Sequence, residues 1–299
     1  MTPWLVVACL ALLPAAFGNR LAAARWPSRH PRAAIALWMA IGAAAGLGGA
    51  GIGLVAAVWP LATAFPHGAH TLSHRLLGGE WQAGMSVALL WSVGLVAWLL
   101  ATTARTIVGT LAERRRQRLL VDLTADYSPA HDAYVLPSAV PVAYCMPGRE
   151  ARVVLSRGAV DLLGSAELEA VLAHERAHAD GRHDLLKLPF VALSRAFPPA
   201  RRVLEAVSVL VELMADDVAR RTHGNLPLAR AIVRMAAPAQ PGLAVADTAV
   251  VRRVERLLHE PRNGRGWVPA AAYSGAAALL GGPLSLLAAP VLCHTITPG

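Results

Sequence analysis

His174-Glu175-Arg176-Ala177-His178 has the form H-E-x-x-H, and the run before it, Ala166 to Ala173, has strong helical character. Residues four apart on a helix lie about 40° apart around its axis, so both imidazoles point the same way. Two such nitrogens can share one zinc ion, with Glu175 placed beside them as a general base that polarises a water. This is the core chemistry of a metallopeptidase.

Two histidines leave a zinc site short of a third protein ligand. Glu212 follows His178 by 34 residues, enough chain for one helix to end and another to return. It stands among Val209, Leu210, Val211, Leu213 and Met214, where a carboxylate is costly to bury without a metal or a partner. Asp216 lies four residues on, on the same face, and is expected to hydrogen-bond a ligand histidine from behind. A rival third ligand is Asp184, from the reading H-E-x-x-H-x-x-G-x-x-D with Gly181 turning the chain. That reading leaves Glu212 idle. His183 lies nine residues after His174, about 180° around a continued helix. It is expected to face away from the ion, ending the helix or supporting a ligand from outside. Arg220 and His223 are candidates for stabilising an oxyanion through sequence proximity alone.

The elements that must position these residues are readable in part. Tyr127 to Pro147 carries prolines at 129, 137, 141 and 147 and is no long helix. Val140–Met146, Pro147-Gly148 and Ala151–Leu155 read as a β-hairpin whose edge could pair with a peptide. Gly158–Leu163 is a short helix. Ser165 is expected to cap the next one, which carries the histidines. Pro198-Pro199 opens a helix from about Ala200 to Arg221, ended by His223-Gly224. Further helices are expected over Ala229–Ala236 and Asp247–His259, with Asp247 as N-cap.

The 299 residues are 55% hydrophobic, more apolar than a soluble domain. The excess lies in four runs: about 3–18, 33–59, 83–104 and 268–292. Arg20, Arg25, Arg29 and Arg32 follow the first. Arg75 and Glu80 are the charges between the second and third. Arg105, Arg114, Arg115, Arg116 and Arg118 follow the third, and Arg262 and Arg265 precede the fourth. By the positive-inside rule both termini are external and the segment with the H-E-x-x-H helix faces the cytoplasm. The domains expected are a membrane domain at 1–104, a cytoplasmic catalytic domain at 105–267, and a last span with a short tail at 268–299. Small residues such as Gly42 and Gly46 are expected to pack the second span against the first and third. His67, His70 and His74 read as a solvated external loop. Cys9, Cys145 and Cys293 are too few and too scattered for a disulfide framework or a cysteine metal site. The net charge of +9 is read as topological. A nucleic-acid partner is not expected, since it would need a basic soluble face, for example Arg201, Arg202, Arg252 and Arg253.

Three spans, a cytoplasmic H-E-x-x-H domain with a later E-x-x-A-D, and a fourth span resemble the BlaR/MecR-type membrane zinc metallopeptidases. The soluble part is also similar to HtpX-like and CAAX prenyl proteases. The matching residues are Ala143–Gly148, Val171–His178, Arg182-His183 and Glu212–Asp216. The resemblance implies one zinc ion on His174, His178 and Glu212, with Glu175 as catalytic base. It implies a mainly α membrane protein with an α+β zincin-like (gluzincin) domain between helices three and four. The chain ends about seven residues after the fourth span, so the extracellular penicillin-binding domain of antibiotic-sensing members is missing and direct β-lactam sensing is not expected. The implied activity is cleavage of a cytoplasmic or membrane-proximal protein in the cell membrane, foremost a transcriptional repressor. Quality control of membrane proteins and a non-catalytic signalling role with a structural zinc site are the alternatives.

Overall fold

Two long apolar runs give two long helices: α1 (Pro31–Ala62), helical through six glycines between 42 and 53, and α2 (Ala83–Thr124), which continues into charged sequence. The structure, a computed structural model, describes residues 20–21, 24, 26–62, 83–148, 150–236, 244–259 and 266–296. The span expected at 3–18, Cys9 and the histidine loop lie outside them. Among the described residues two helices are long and apolar enough to cross a membrane, 31–57 and 84–124. The span expected at 268–292 falls within a third long helix, α9 (Trp267–Ile296).

The two long helices run antiparallel. An added Cβ on Gly46 would meet Leu99, one on Gly49 would meet Leu95, and one on Gly53 would collide with the Ala88 carbonyl oxygen. Trp91 and Ser92 donate hydrogen bonds to the carbonyls of Gly49 and Ala50, at 3.2 and 2.6 Å. Close backbone approach at small residues, reinforced by side-chain hydrogen bonds, is how helices associate where the hydrophobic effect is silent. Among the described residues the neighbour of Gly42 is Leu193, from the histidine-bearing half of the chain.

Beyond Arg105 α2 continues as a stem. At 1.5 Å per residue the whole helix is about 63 Å long, so one rigid rod links the apolar region to the half that carries the histidines. A four-stranded sheet hangs on its end: β1 (Asp126–Ser128), β2 (Ala133–Leu136), β3 (Ala143–Met146) and β4 (Arg152–Ser156), in the order β1-β2-β4-β3. β1 and β2 are antiparallel, β2 and β4 parallel, and β3 and β4 form the expected antiparallel hairpin. Val121 of the stem packs against Met146 and Val154. Arg118 donates to the carbonyls of Pro147 and Glu150 at 3.0 Å each, clasping the hairpin turn, and Asp122 pairs with Arg152.

Helices follow: α3 (Arg157–Leu162), α4 (Ser165–Asp180), α5 (His183–Ala196), α6 (Arg201–His223), α7 (Asn225–Ala236) and α8 (Ala244–Leu258). Three boundary expectations are corrected. Gly164, not Ser165, is the N-cap of α4, and Glu167 reaches back to its N–H at 3.0 Å. Helix α7 starts at Asn225, because Pro227 is tolerated in a first turn whose N–H groups have no intrahelical partner. Helix α8 starts at Ala244, so Asp247 lies inside the first turn rather than capping it.

One apolar core joins the two halves. Ala34, Ile35, Trp38 and Ile41 of α1 pack with Phe190 of α5 and with Val207, Leu210, Val211 and Leu213 of α6. The first third of α1 therefore belongs to the core that carries Glu212. A second cluster seats α4 on the sheet through Val153, Leu155, Leu168, Val171 and Leu172.

Replacing Gly53 with Val should drive a methyl into the α2 backbone and cost about 1–3 kcal/mol. Gly109→Ala, where an added Cβ meets nothing within 4 Å, should instead gain up to about 1 kcal/mol as a better helix former. Thermal unfolding of the two variants in detergent measures both signs.

Candidate metal centre

Helix α4 puts His174 and His178 on one face, and α6 crosses it to bring Glu212 opposite. The Nε2 atoms of the two histidines are 3.1 Å apart. Glu212 Oε2 lies 3.3 Å from His174 Nε2, and Oε1 lies 3.6 Å from His178 Nε2. These three residues can hold a metal ion, their ligand atoms all lying within 4.8 Å of one another. The spacing suits one small ion. Zinc bonds nitrogen and oxygen at roughly 2.0–2.2 Å in a tetrahedron, whose edges are then about 3.4 Å. The donor chemistry fits as well, since imidazole nitrogen and carboxylate oxygen are ordinary zinc ligands and a fourth position is left for water.

The orienting groups lie behind the ligands. Asp216, one turn after Glu212 and 1% exposed, sets Oδ1 2.9 Å from His174 Nδ1. A proton held there leaves the His174 Nε2 lone pair directed at the ion position. Asp216 is itself gripped by Arg253 of α8: Nε to Oδ2 at 2.9 Å and Nη2 to Oδ1 at 2.7 Å. Arg253 Nη1 also lies 3.3 Å from Glu212 Oε2. Arg253 is half-buried where α8 packs over the cluster, whereas a nucleic-acid partner would have needed it on an exposed basic face. Sequence reasoning missed this role, and the only available signal was an arginine on the apolar side of an amphipathic helix.

His183 stands where a residue supporting a ligand from outside would, but it is not turned away from the cluster. Its Nδ1 is 3.1 Å from His178 Nδ1, so it faces the cluster. The 180° argument assumed a continued helix, but α4 ends at Gly181 and Arg182 adopts φ 44°. The chain reverses and the ring folds back over Gly181, where a Cβ would meet His183 Nε2 at 2.5 Å and the Ala177 carbonyl at 3.0 Å. The rival ligand Asp184 instead pairs with Arg114 of the stem at 2.6 Å. Arg220 pairs with Asp217 at 3.0 Å, and His223 lies 3.8 Å from Glu169. Neither lines the cleft around the histidines, so the sequence-based candidates for oxyanion stabilisation are withdrawn.

The electrostatics follow from burial among opposite charges. Burial opposes a charge on His174, yet Asp216 and Glu212 outweigh it and raise its pKa to about 9. Burial likewise opposes ionisation of Glu212, but hydrogen bonds from His174 and His178 hold its carboxyl far below the usual range. Desolvation and the neighbouring His178 lower His183 to about 4. A neutral His183 can accept the proton of His178 Nδ1, which leaves His178 Nε2 free for an ion. Burial raises Glu175 above the ordinary carboxylate range and Cys145 to about 11. Cys145 is therefore a thiol at neutral pH.

These residues line a cleft of about 710 Å³. Its walls are β3 (Ala143 to Cys145), α4 with Glu175, the stem (Thr110 and Arg114), α5 (Lys187 and Val191), and an apolar end formed by Val171, Leu228, Ile232 and Met235. β3 is the outer strand of the described sheet. The Ser156 N–H donates to the Val142 carbonyl at 2.8 Å. Backbone direction alternates along a strand, so Ala143 and Cys145 turn their amide groups outward.

Replacing Asp216 with Ala should free His174 to rotate and lower zinc affinity about 10–100-fold. It should also cost about 3–5 kcal/mol by stranding the buried Arg253. Adding Arg253→Met should restore much of the stability and none of the affinity, as read by zinc titration and thermal unfolding.

Comparison with curated proteins and with solved structures finds no match. Residues 111–240 do match a family model, and that segment runs from the stem through the sheet to the end of α7, enclosing His174, Glu175, His178 and Glu212. The family model is that of Peptidase family M48, so the segment is similar to metal-dependent peptidases of that family.

Proposed function

We propose that this chain is an integral-membrane zinc endopeptidase that cuts an extended segment of a cytoplasmic or membrane-proximal protein. The observation that carries the reading is the sharing of one cleft by a three-ligand ion site and a carboxylate, Glu175, left outside the ligand set. A structural metal site has no use for such a base.

His174, His178 and Glu212 would hold the zinc, which when bound supplies a Lewis acid that acidifies water and polarises a carbonyl. The chain's own residues do the rest. Asp216 and His183 hold the two imidazoles in the tautomers that present Nε2 to the cleft. Glu175 takes a proton from the attacking water and passes it to the departing amine. The outward amides of Ala143 and Cys145 pair with the substrate backbone, so the substrate enters as an added strand. The apolar end, Val171, Leu228, Ile232 and Met235, takes an apolar side chain.

The long exposed apolar faces of α1 and α2 support a bilayer as their solvent. Val87, Leu90, Trp91 and Val93 are all exposed. Arginine placement supports a cytoplasmic cleft. The likeness of the layout to BlaR/MecR-type proteases supports a regulatory substrate, a transcriptional repressor. On this reading the domains are 1–104 in the membrane, 105–267 in the cytoplasm and 268–299 returning to the membrane.

The test is purified protein assayed for zinc and for chelator-sensitive cleavage, beside Glu175→Gln. That variant should keep its metal and lose activity by about 10²–10⁴-fold. Cleavage by the variant at the parent rate would remove Glu175 from the mechanism and the proposal with it.

A further inference from the structure

The turn between α5 and α6 reads Arg195-Ala-Phe-Pro-Pro-Ala-Arg-Arg202. Phe197 is 54% exposed. Pro198, Pro199, Arg195, Arg201 and Arg202 are exposed around it. Among the described residues none of the three arginines has an ion-pair partner. Glu205 is the one acid between positions 195 and 208. The site described above uses none of these residues.

The position of this turn along the chain's long axis can be worked out from contacts. Arg105 is the first charge after the apolar part of α2. Leu99, six residues earlier, faces Gly46, so Gly46 stands about 9 Å to the apolar side of Arg105 at 1.5 Å per residue. Gly42 then stands about 3 Å to that side. Helix α5 runs alongside the stem: Asp184 pairs with Arg114 at one end, and Leu193 reaches Gly42 at the other. Between those levels lie about 16 Å of stem, against about 14 Å for nine residues of α5, so the two axes are nearly aligned. Phe197, four residues past Leu193, therefore sits about 9 Å to the apolar side of Arg105.

We propose that this turn is an interfacial anchor, with Phe197 and the two prolines entering an anionic phospholipid bilayer and Arg195, Arg201 and Arg202 binding its headgroup phosphates. This rests on the reading of α1 and α2 as membrane-spanning. The chemistry suits that depth. Two adjacent prolines bring no N–H groups that lipid would leave unsatisfied. An aromatic ring ringed by arginines is the composition of a membrane interface, and each basic residue near an anionic surface adds attraction. The anchor also has a consequence for the cleft. Helix α5 carries the turn at one end and His183 at the other, so the bilayer sets the height and tilt of one cleft wall. A substrate is then cut at a defined distance from the membrane.

The full chain, with Cys9, Cys145 and Cys293 changed to Ala, is reconstituted into vesicles of phosphatidylcholine alone or mixed with phosphatidylglycerol. A fluorophore is attached at Phe197→Cys, at Val93→Cys on the exposed apolar face of α2, or at Leu226→Cys on the exposed face of α7. Lipids brominated in the acyl chain serve as quenchers. Quenching at 197 in the mixed vesicles should reach at least about half that at 93, with 226 unquenched. It should fall severalfold in phosphatidylcholine alone, and likewise when Arg195, Arg201 and Arg202 are changed to Gln. Quenching at 93 with none at 197 would overturn the anchor and leave the spans standing; a turn built to dock a protein gives this outcome. Loss of quenching at both positions overturns the membrane reading and the anchor together. Equal quenching at 197 in the two lipid mixtures would overturn the assignment of anionic headgroups.

Discussion

Four electron-rich atoms, two imidazole nitrogens and the two oxygens of one carboxylate, make contacts of 3.1–3.6 Å in this protein. Lone pairs at such distances repel unless positive charge lies among them, and a cation or shared protons must supply it. The surrounding architecture maintains the convergence. Helix α4 fixes the histidine pair through its 3.6-residue period, and α6 supplies Glu212 from the opposite wall. The Arg253–Asp216–His174 chain then locks a ring that could otherwise turn. Each member is buried and charged or polar, so each is satisfied only while the others stay in place.

The ion site is also mechanically joined to the apolar half. The first third of α1 is buried in the core that carries Glu212, and α2 is one uninterrupted helix from the apolar region to the sheet. Arg118 and Val121 fasten the β3–β4 hairpin to the stem, while Arg114 fastens α5. A displacement of either long helix must therefore move the substrate edge or a cleft wall, because packed side chains of this density do not yield continuously. A cleft so built works in register with the two long apolar helices, not as a unit on a flexible tether.

Local pattern predicted well wherever the physics is local. The H-E-x-x-H spacing, the apolar stripe around Glu212, the hairpin turn at Pro147-Gly148 and the continuation of α2 into a basic stem all follow from helix or strand periodicity. Expectations failed where a neighbour decided the outcome. His183 was placed by extending a helix that ends at Gly181, and the ring returns because glycine leaves room for it. The role of Arg253 was not foreseen, because it depends on α8 lying across the cluster. Gly42 also receives Leu193 of α5, a contact that no pattern in α1 announces.

The sequence alone determined the chemistry on offer: which nitrogens and carboxylates exist, and which share a helical face. That information is carried by a repeat of about 3.6 residues. Only the tertiary structure decided which of several acids meets the histidines. Glu212 and Asp216 arrive through the crossing of α6 on α4, and Asp184 is drawn off by Arg114. Such choices depend on helix crossing and on competition between charges far apart in the chain, and no local spacing records either.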